Sequence, residues 1–328
     1  MRKFSASLAM AAVLALTACG GGSPSGGPDS AAPEAAGSGG LTSVNVGVIP
    51  IVDVAPTYLG VKEGIFEKAG LDVELTPAQG GAAIVPAIVN GQLDFGFSNV
   101  TSLIVARSKG LPLQILASGS SSTGDEDADF AAVMVMPDSG IEKIEDLAGK
   151  KIGVNTLNNI SDSTIRTAVA ESGADASSLE FVEIAFPDMQ AALEKGTVDA
   201  IGAVEPFLTL AKEGGAVPVF SNYAYPVDDL TVAVYFTSEQ TATQDPETTK
   251  AFAAAMKEAQ AFADANPDKV RAILPEYTKL DAAIIDKLTL PKFTQDVNMD
   301  SLQTIADISL ENGLIDELPD MKALMPGN

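Results

Sequence analysis

The feature that most constrains this chain is a repeat. Gly91-Gln92-Leu93-Asp94, followed by Leu103 and Ala106, returns as Gly196-Thr197-Val198-Asp199, followed by Leu208 and Ala211, each position 105 residues further on. Two more pairs keep the same order. Val46-Gly47-Val48 matches Ile152-Gly153-Val154 at a spacing of 106, and Leu71-Asp72-Val73-Glu74-Leu75 matches Leu179-Glu180-Phe181-Val182-Glu183 at 108. These runs are strand-like, and amphipathic helical stretches lie between them, the alternation of an α/β fold with mainly parallel strands. A chain that contains the same α/β unit twice folds into two similar lobes. The predicted fold is therefore α/β, with two similar three-layer lobes joined by a two-strand hinge.

From Ser238 onward the repeat has no counterpart and the pattern reads as helices, Glu247–Ala265, Pro267–Leu274 and Asp300–Asn312. Val232–Phe236 reads as a strand returning from the second half, so the tail is expected to pack on the first lobe. That assigns residues 41–129 and 237–328 to lobe I and 130–236 to lobe II, with crossings near Phe130–Met136 and Val232–Phe236. Paired crossings make a hinge.

The amino terminus has a different logic. Met1-Arg2-Lys3 precedes an uncharged apolar run, Leu8–Leu16, which is a secretory signal pattern and too short to span a bilayer. Leu16-Thr17-Ala18-Cys19-Gly20 resembles the bacterial lipobox. On that resemblance residues 1–18 are removed, Cys19 is lipidated, and the protein sits on the outer face of the cytoplasmic membrane. Residues 19–40 then read as a flexible Gly/Ser/Pro/Ala linker, with a reach of roughly 25 Å.

Composition narrows the chemistry. Cys19 is the only cysteine and the chain has no histidine, so a disulfide, a thiolate metal site and any Ser-His-Asp or Cys-His constellation are excluded. No cofactor motif is present. The formal charge is −24, or −26 without Arg2 and Lys3, which argues against nucleic acid as a partner. Asp125, Glu126, Asp127 and Asp129 read as a solvated loop rather than a calcium site. A carboxylate-only enzyme stays open on residues alone, as does a surface lipoprotein that binds a protein partner.

Gly64-Ile65-Phe66-Glu67-Lys68-Ala69-Gly70-Leu71-Asp72-Val73, Gly91-Gln92-Leu93-Asp94-Phe95-Gly96, Asp146-Leu147-Ala148-Gly149-Lys150-Lys151-Ile152-Gly153-Val154 and Glu205-Pro206-Phe207 together carry a resemblance. It is to the nitrate, sulfonate, taurine and thiamine-pyrimidine-precursor group of periplasmic-type binding proteins, over nearly all of residues 44–328. The resemblance implies a monomeric type II clamp that takes a small-molecule ligand and serves an ABC permease and its ATPase. The group also resembles a yeast-type thiamine pyrimidine synthase, which depends on histidine and clustered cysteines that this chain lacks.

Ligands of parallel α/β sheets bind beyond the carboxyl ends of the strands. The loops expected there supply Asp53, Gln79, Gly80, Gly81, Ser98 and Asn99 in one lobe and Asn155, Asn158, Ser161 and Glu205 in the other, with Tyr225 near the hinge. Thr101, Ser102 and Asn159 share those loops, and Tyr58 and Tyr223 are further aromatic candidates. Ser and Asn before a helix also serve as caps, and Glu205 with Pro206 suits a helix N-terminus. None of these loops carries Arg, Lys or His. An acidic cleft favours a neutral or amine-bearing nitrogen compound, held partly by Glu205; an oxyanion would depend on helix N-termini.

Overall fold

The computed structural model describes residues 40–325; Cys19 and the leader lie outside them. One five-stranded sheet holds β1 (Thr42–Val48), β2 (Leu71–Pro77), β3 (Phe95–Asn99), β4 (Leu113–Ser121) and β10 (Thr231–Ser238), in the order β2-β1-β3-β10-β4. The other holds β5 (Ala131–Val135), β6 (Lys151–Val154), β7 (Glu180–Glu183), β8 (Ala200–Val204) and β9 (Val217–Phe220), in the order β7-β6-β8-β5-β9. The two orders superimpose. β1, β2, β3, β4 and β10 correspond to β6, β7, β8, β9 and β5, and the fourth strand of each sheet runs antiparallel to its neighbours. Helices α1 (Ala55–Lys62), α2 (Gly81–Val89) and α3 (Val100–Ser108) follow β1, β2 and β3, while α4 (Ile160–Glu171), α5 (Phe186–Glu194) and α6 (Phe207–Glu213) follow β6, β7 and β8. This is the two-lobe α/β architecture expected from the repeat.

The repeated Gly-x-x-Asp is a structural device. Gly91 and Gly196 both take the left-handed conformation that ends a helix. The carboxylate of Asp94 then accepts from the backbone N–H of Asn45, and that of Asp199 from Lys151, each at 2.8 Å. Both bonds pin the start of a central strand to the strand beside it.

The crossings differ from expectation. The chain passes between lobes in segments 122–130 and 221–230, before β5 and before β10. Phe130–Met136 is thus mostly strand within the second sheet, and Val232–Phe236 lies within the first. Because β10 pairs with β3 and β4, the boundary drawn at 236/237 moves to the start of β10. An apolar run such as Thr231–Ser238, buried at every position, reads as an interior strand whichever lobe it completes.

Asp129 ties the two crossings together. Buried at the end of the first crossing, it accepts from Ser122 Oγ (2.9 Å), Thr123 N (2.9 Å), Thr123 Oγ1 (3.1 Å) and Phe130 N (2.9 Å), and from Ser221 Oγ (3.0 Å) of the second. Residues 125–127 of the acidic stretch are exposed, as expected, whereas Asp129 belongs to the interior.

In the tail, α7 (Pro246–Ala265) is capped by Asp245, whose carboxylate accepts from Thr248 N. Its stripe of Phe252, Ala255, Met256, Ala259 and Ala263 repeats every three to four residues and packs on α1 and β4. Phe252 stacks on Phe95 with ring centroids 3.9 Å apart. Gln260 is buried within this stripe. α8 (Pro267–Ile273) also packs on α1, while α9 (Met299–Glu311) lies against α3 and reaches α4 of the facing lobe. There Asn312 Nδ2 donates to Ser163 O and Thr167 Oγ1, each at 3.1 Å.

Removing the Asp129 carboxylate leaves several buried donors unpaired. Asp129→Ala is expected to lower unfolding free energy by about 3–5 kcal/mol, against less than about 0.5 for the exposed Asp127→Ala. Urea denaturation of both variants measures this, and equal effects would remove Asp129 from its joining role.

Candidate ligand site between the lobes

In each sheet the strand order reverses at its second strand, so the loops leaving β1 and β3, and those leaving β6 and β8, open a crevice at the carboxyl end. The two crevices face each other. Between them lies an inner cavity of about 30 Å³, walled by Ile49, Ile51, Asp53, Phe97, Asn99, Val232 and Ala233 from one side and by Asn155, Asn159, Ile160, Phe186, Val204 and Tyr223 from the other. An outer cavity of about 120 Å³ shares Ile49, Ile51 and Phe186 and adds Pro50, Ala78, Gln79, Ala185, Pro187 and Phe207. No Lys or Arg lines either one.

Asp53 is the charged group of the inner wall. It sits in a single 3₁₀ turn, Val52–Val54, directly after β1 and is 2% exposed. Ser120 Oγ donates to its Oδ1 at 2.6 Å, while Oδ2 is buried with no hydrogen-bond partner among the described residues. Burial pushes this carboxyl from 3.8 up to about 6; the Ser120 hydroxyl and its own backbone amide act against that, and the Asp129 charge adds to it.

The opposite wall is an amide and hydroxyl network. Asn159 caps α4, its Oδ1 accepting from Ser161 N (2.9 Å) and Asp162 N (3.4 Å). Its Nδ2 donates to Asn155 Oδ1 and Thr156 Oγ1, each at 2.8 Å. Tyr223 OH shares a 3.0 Å hydrogen bond with Ser161 Oγ. Asp162 accepts from Asn158 N (2.7 Å) and Asn159 N (2.8 Å), and burial, opposed by these bonds, pushes it up to about 6.

The expected residues divide. Asp53, Asn99 and Asn155 line the inner cavity, Ser161 stands behind Tyr223, and Gln79 is exposed at the mouth. Asn99 doubles as the cap of α3, its Oδ1 accepting from Ser102 N at 2.9 Å. Gly80 meets the other lobe, since a Cβ there would lie 2.8 Å from Thr156 Cγ2 and 3.2 Å from Asn155 Nδ2. Gly81 packs directly on the buried Ser98.

Three of the expected residues line neither cavity. Asn158 is exposed in a left-handed turn, outside the cavity. Tyr225 stands edge-on to Phe220 in the second lobe, and Tyr223, two residues earlier, is the tyrosine that reaches the site. Glu205, 1% exposed, turns away from the cavity: Oε1 accepts from Thr209 Oγ1 (2.8 Å) and Oε2 from Thr209 N (3.1 Å) of its own helix. Oε1 also accepts from Thr289 N (3.1 Å) of the tail. With Lys287 Nζ 2.7 Å from Glu213, Glu205 joins the lobes beside the site and does not line it. Among the other tyrosines, Tyr58 stacks on Tyr277 at 4.0 Å, away from the cavity. Sequence reasoning passed over the apolar wall, Phe97, Phe186 and Ile160, whose signal is that of any core residue.

Comparison with known proteins is consistent with this geometry. A family model described as NMT1/THI5 like matches residues 51–270. The taurine-binding periplasmic protein of Escherichia coli is 28% identical over 227 residues, 69% of this chain and 68% of that one. A formylaminopyrimidine-binding protein of Halalkalibacterium halodurans is 23% identical over 220 residues, 66% and 64% of the two chains. In fold, the crystal structure of the periplasmic aliphatic sulphonate binding protein SsuA from Escherichia coli aligns with a TM-score of 0.69 at 20% identity, covering 86% of this chain and 97% of that one.

A carboxyl whose pKa is higher folded than unfolded binds more protons in the folded state between the two values. Asp53 therefore makes stability fall as pH rises from about 4 to about 6, and the loss persists above that range. Asp53→Asn is expected to stabilise the protein by about 1–3 kcal/mol at pH 7 and to flatten its stability profile between pH 4 and 6. Thermal unfolding across that range measures it; a variant less stable than the parent at pH 7 would contradict the assignment.

Proposed function

The chain belongs to the NMT1/THI5-like family, and from that premise we propose that it is the extracytoplasmic solute-binding lipoprotein of an ABC importer. It captures a small nitrogen-containing organic molecule between its lobes and presents it to the permease. The relatives named above are binding proteins for small solutes, and no helix among the described residues is long and apolar enough to cross a membrane. Membrane attachment then rests on Cys19, which lies outside the described residues.

The observation that carries the ligand class is the free, buried Oδ2 of Asp53 in a cavity wall without a cation. An N–H or ammonium placed there would form a charge-assisted hydrogen bond and relieve an uncompensated buried acceptor. This assigns to Asp53 the part expected of Glu205. An oxyanion would depend on the starts of α2 and α5, which have no side-chain cap, because Asn159 already takes Ser161 N and Asp162 N at the start of α4 and Asn99 takes Ser102 N at the start of α3. Cavities well below the roughly 300–1,000 Å³ of drug-sized sites favour a compact solute.

Two experiments test the proposal. Calorimetry against an aminopyrimidine, small primary amines, taurine, methanesulfonate and nitrate should find the tightest binding among solutes with an N–H donor. Asp53→Asn should weaken it by about 10-fold to 100-fold, the equivalent of a 1.5–3 kcal/mol bond. Tight binding of taurine, methanesulfonate or nitrate that survives Asp53→Asn would overturn the ligand class. Separately, cells fed labelled fatty acid should incorporate it into the wild-type protein and not into Cys19→Ser; equal labelling would show that the anchor lies elsewhere.

A further inference from the structure

Asp53 lines the inner cavity with Oδ1 held by Ser120 and Oδ2 without a partner among the described residues, and Ser120 lies next to an irregularity in β4. Ser118 pairs with Val234 and Ser120 with Ala233, so Gly119 between them is an extra residue in the ladder. Such a bulge re-aims the side chain beside it. No larger residue fits: a Cβ on Gly119 would lie 2.8 Å from Ala233 O and 2.9 Å from the Phe97 ring. A bulge also leaves backbone groups outside the ladder, and here they are met from behind. Gln260 Nε2, on the buried face of α7, donates to Ser118 O at 2.8 Å and Gly119 O at 2.7 Å. In a stripe otherwise built of Phe, Ala and Met, an apolar residue of the same length would fill the space at lower desolvation cost. The Oε1 of Gln260 is itself buried with no partner among the described residues. What the amide does is donate to both carbonyls of the bulge.

We infer that Gln260 is a positioning residue for the ligand site, holding the Gly119 bulge so that Ser120 fixes the Asp53 carboxylate in the cavity wall. The connection runs from the back helix of the first lobe through two carbonyls, one bulge and one hydroxyl to the carboxylate, and Gln260 lines neither of the two cavities. It rests on Asp53 being the ligand contact, but the aim of the carboxylate can be read without any ligand.

The measurement is the carboxyl titration of Asp53 in the full chain, followed by carbon NMR on protein labelled at aspartate and assigned by the resonance missing in Asp53→Asn. The Ser120 hydroxyl favours the ionised form, so Ser120→Ala should move the midpoint upward by roughly half a unit or more, and Ser120→Thr should restore it. Gln260→Met, which keeps the length and loses both bonds to the bulge, should move it the same way. Gln260→Asn, too short to reach both carbonyls, replaces it if the methionine variant does not fold. Met256→Leu on the same stripe is the control for general loosening and should leave the midpoint in place. The remaining titratable groups that bear on Asp53, Asp129 and the phenols of Tyr223, Tyr235 and Tyr277, are unchanged in all these variants. The inference is overturned if Gln260→Met leaves the midpoint where it is, or if Met256→Leu shifts it equally. Failure of the ligand reading appears separately, as solute binding indifferent to Asp53→Asn.

Discussion

The structure depends on one strand arriving late. β10 lies between β3 and β4, antiparallel to both and buried along its length, yet it follows the whole second lobe in sequence. Without it β3 and β4 have no common partner, and Tyr235 and Phe236 leave the centre of the first core. The first lobe is therefore complete only after the chain has crossed and returned, which is why both crossings exist and why a single carboxylate, Asp129, can fasten them side by side. β10 also contributes Val232 and Ala233 to the cavity wall and provides the partner against which β4 bulges.

Four buried acids show how differently one functional group can be used. Asp129 accepts from its own crossing and from Ser221 of the other, Asp162 from backbone N–H groups just before it, and Glu205 from the helix that follows it and from the tail. In these three, both carboxylate oxygens accept hydrogen bonds. Asp53 has Ser120 on one oxygen and, among the described residues, no partner on the other. A site that keeps an acceptor unsatisfied is less stable without its solute and selective for one that brings a donor, because the solute gains what the fold gave up. Glu205 with Thr289, and Lys287 with Glu213, join the second lobe to the tail beside this cavity.

Much of the candidate site was legible as loops and little of it as contacts. Asp53, Asn99 and Asn155 were found because a polar residue after a strand in a doubled α/β chain has few places to go. Asn158, Glu205 and Tyr225 come from equally plausible loops and face elsewhere. Glu205 differs from Asp53 in what surrounds it: Thr209 is four residues away and could be foreseen as a capping partner, but Thr289 is 84 residues distant in the chain. Gln260 carried no local signal, and Ser120 only that of its strand-end stretch, Ser118–Ser122. Their effect on Asp53 depends on a one-residue slip in strand pairing, and pairing register is set by contacts far apart in sequence.

The sequence by itself determined the architecture: a repeat at 105 residues, period-2 apolar runs and helix-ending glycines are local signals, and each half obeys them independently. It also determined what the protein cannot do, since chemistry that needs histidine or a second cysteine is closed to it. Only the tertiary structure decided which lobe each hinge strand completes and which carboxylate lines the cavity between the lobes. An apolar strand has the same pattern in either sheet, and a buried acid the same letter whether or not its donors arrive; both depend on partners that folding brings from the other end of the chain.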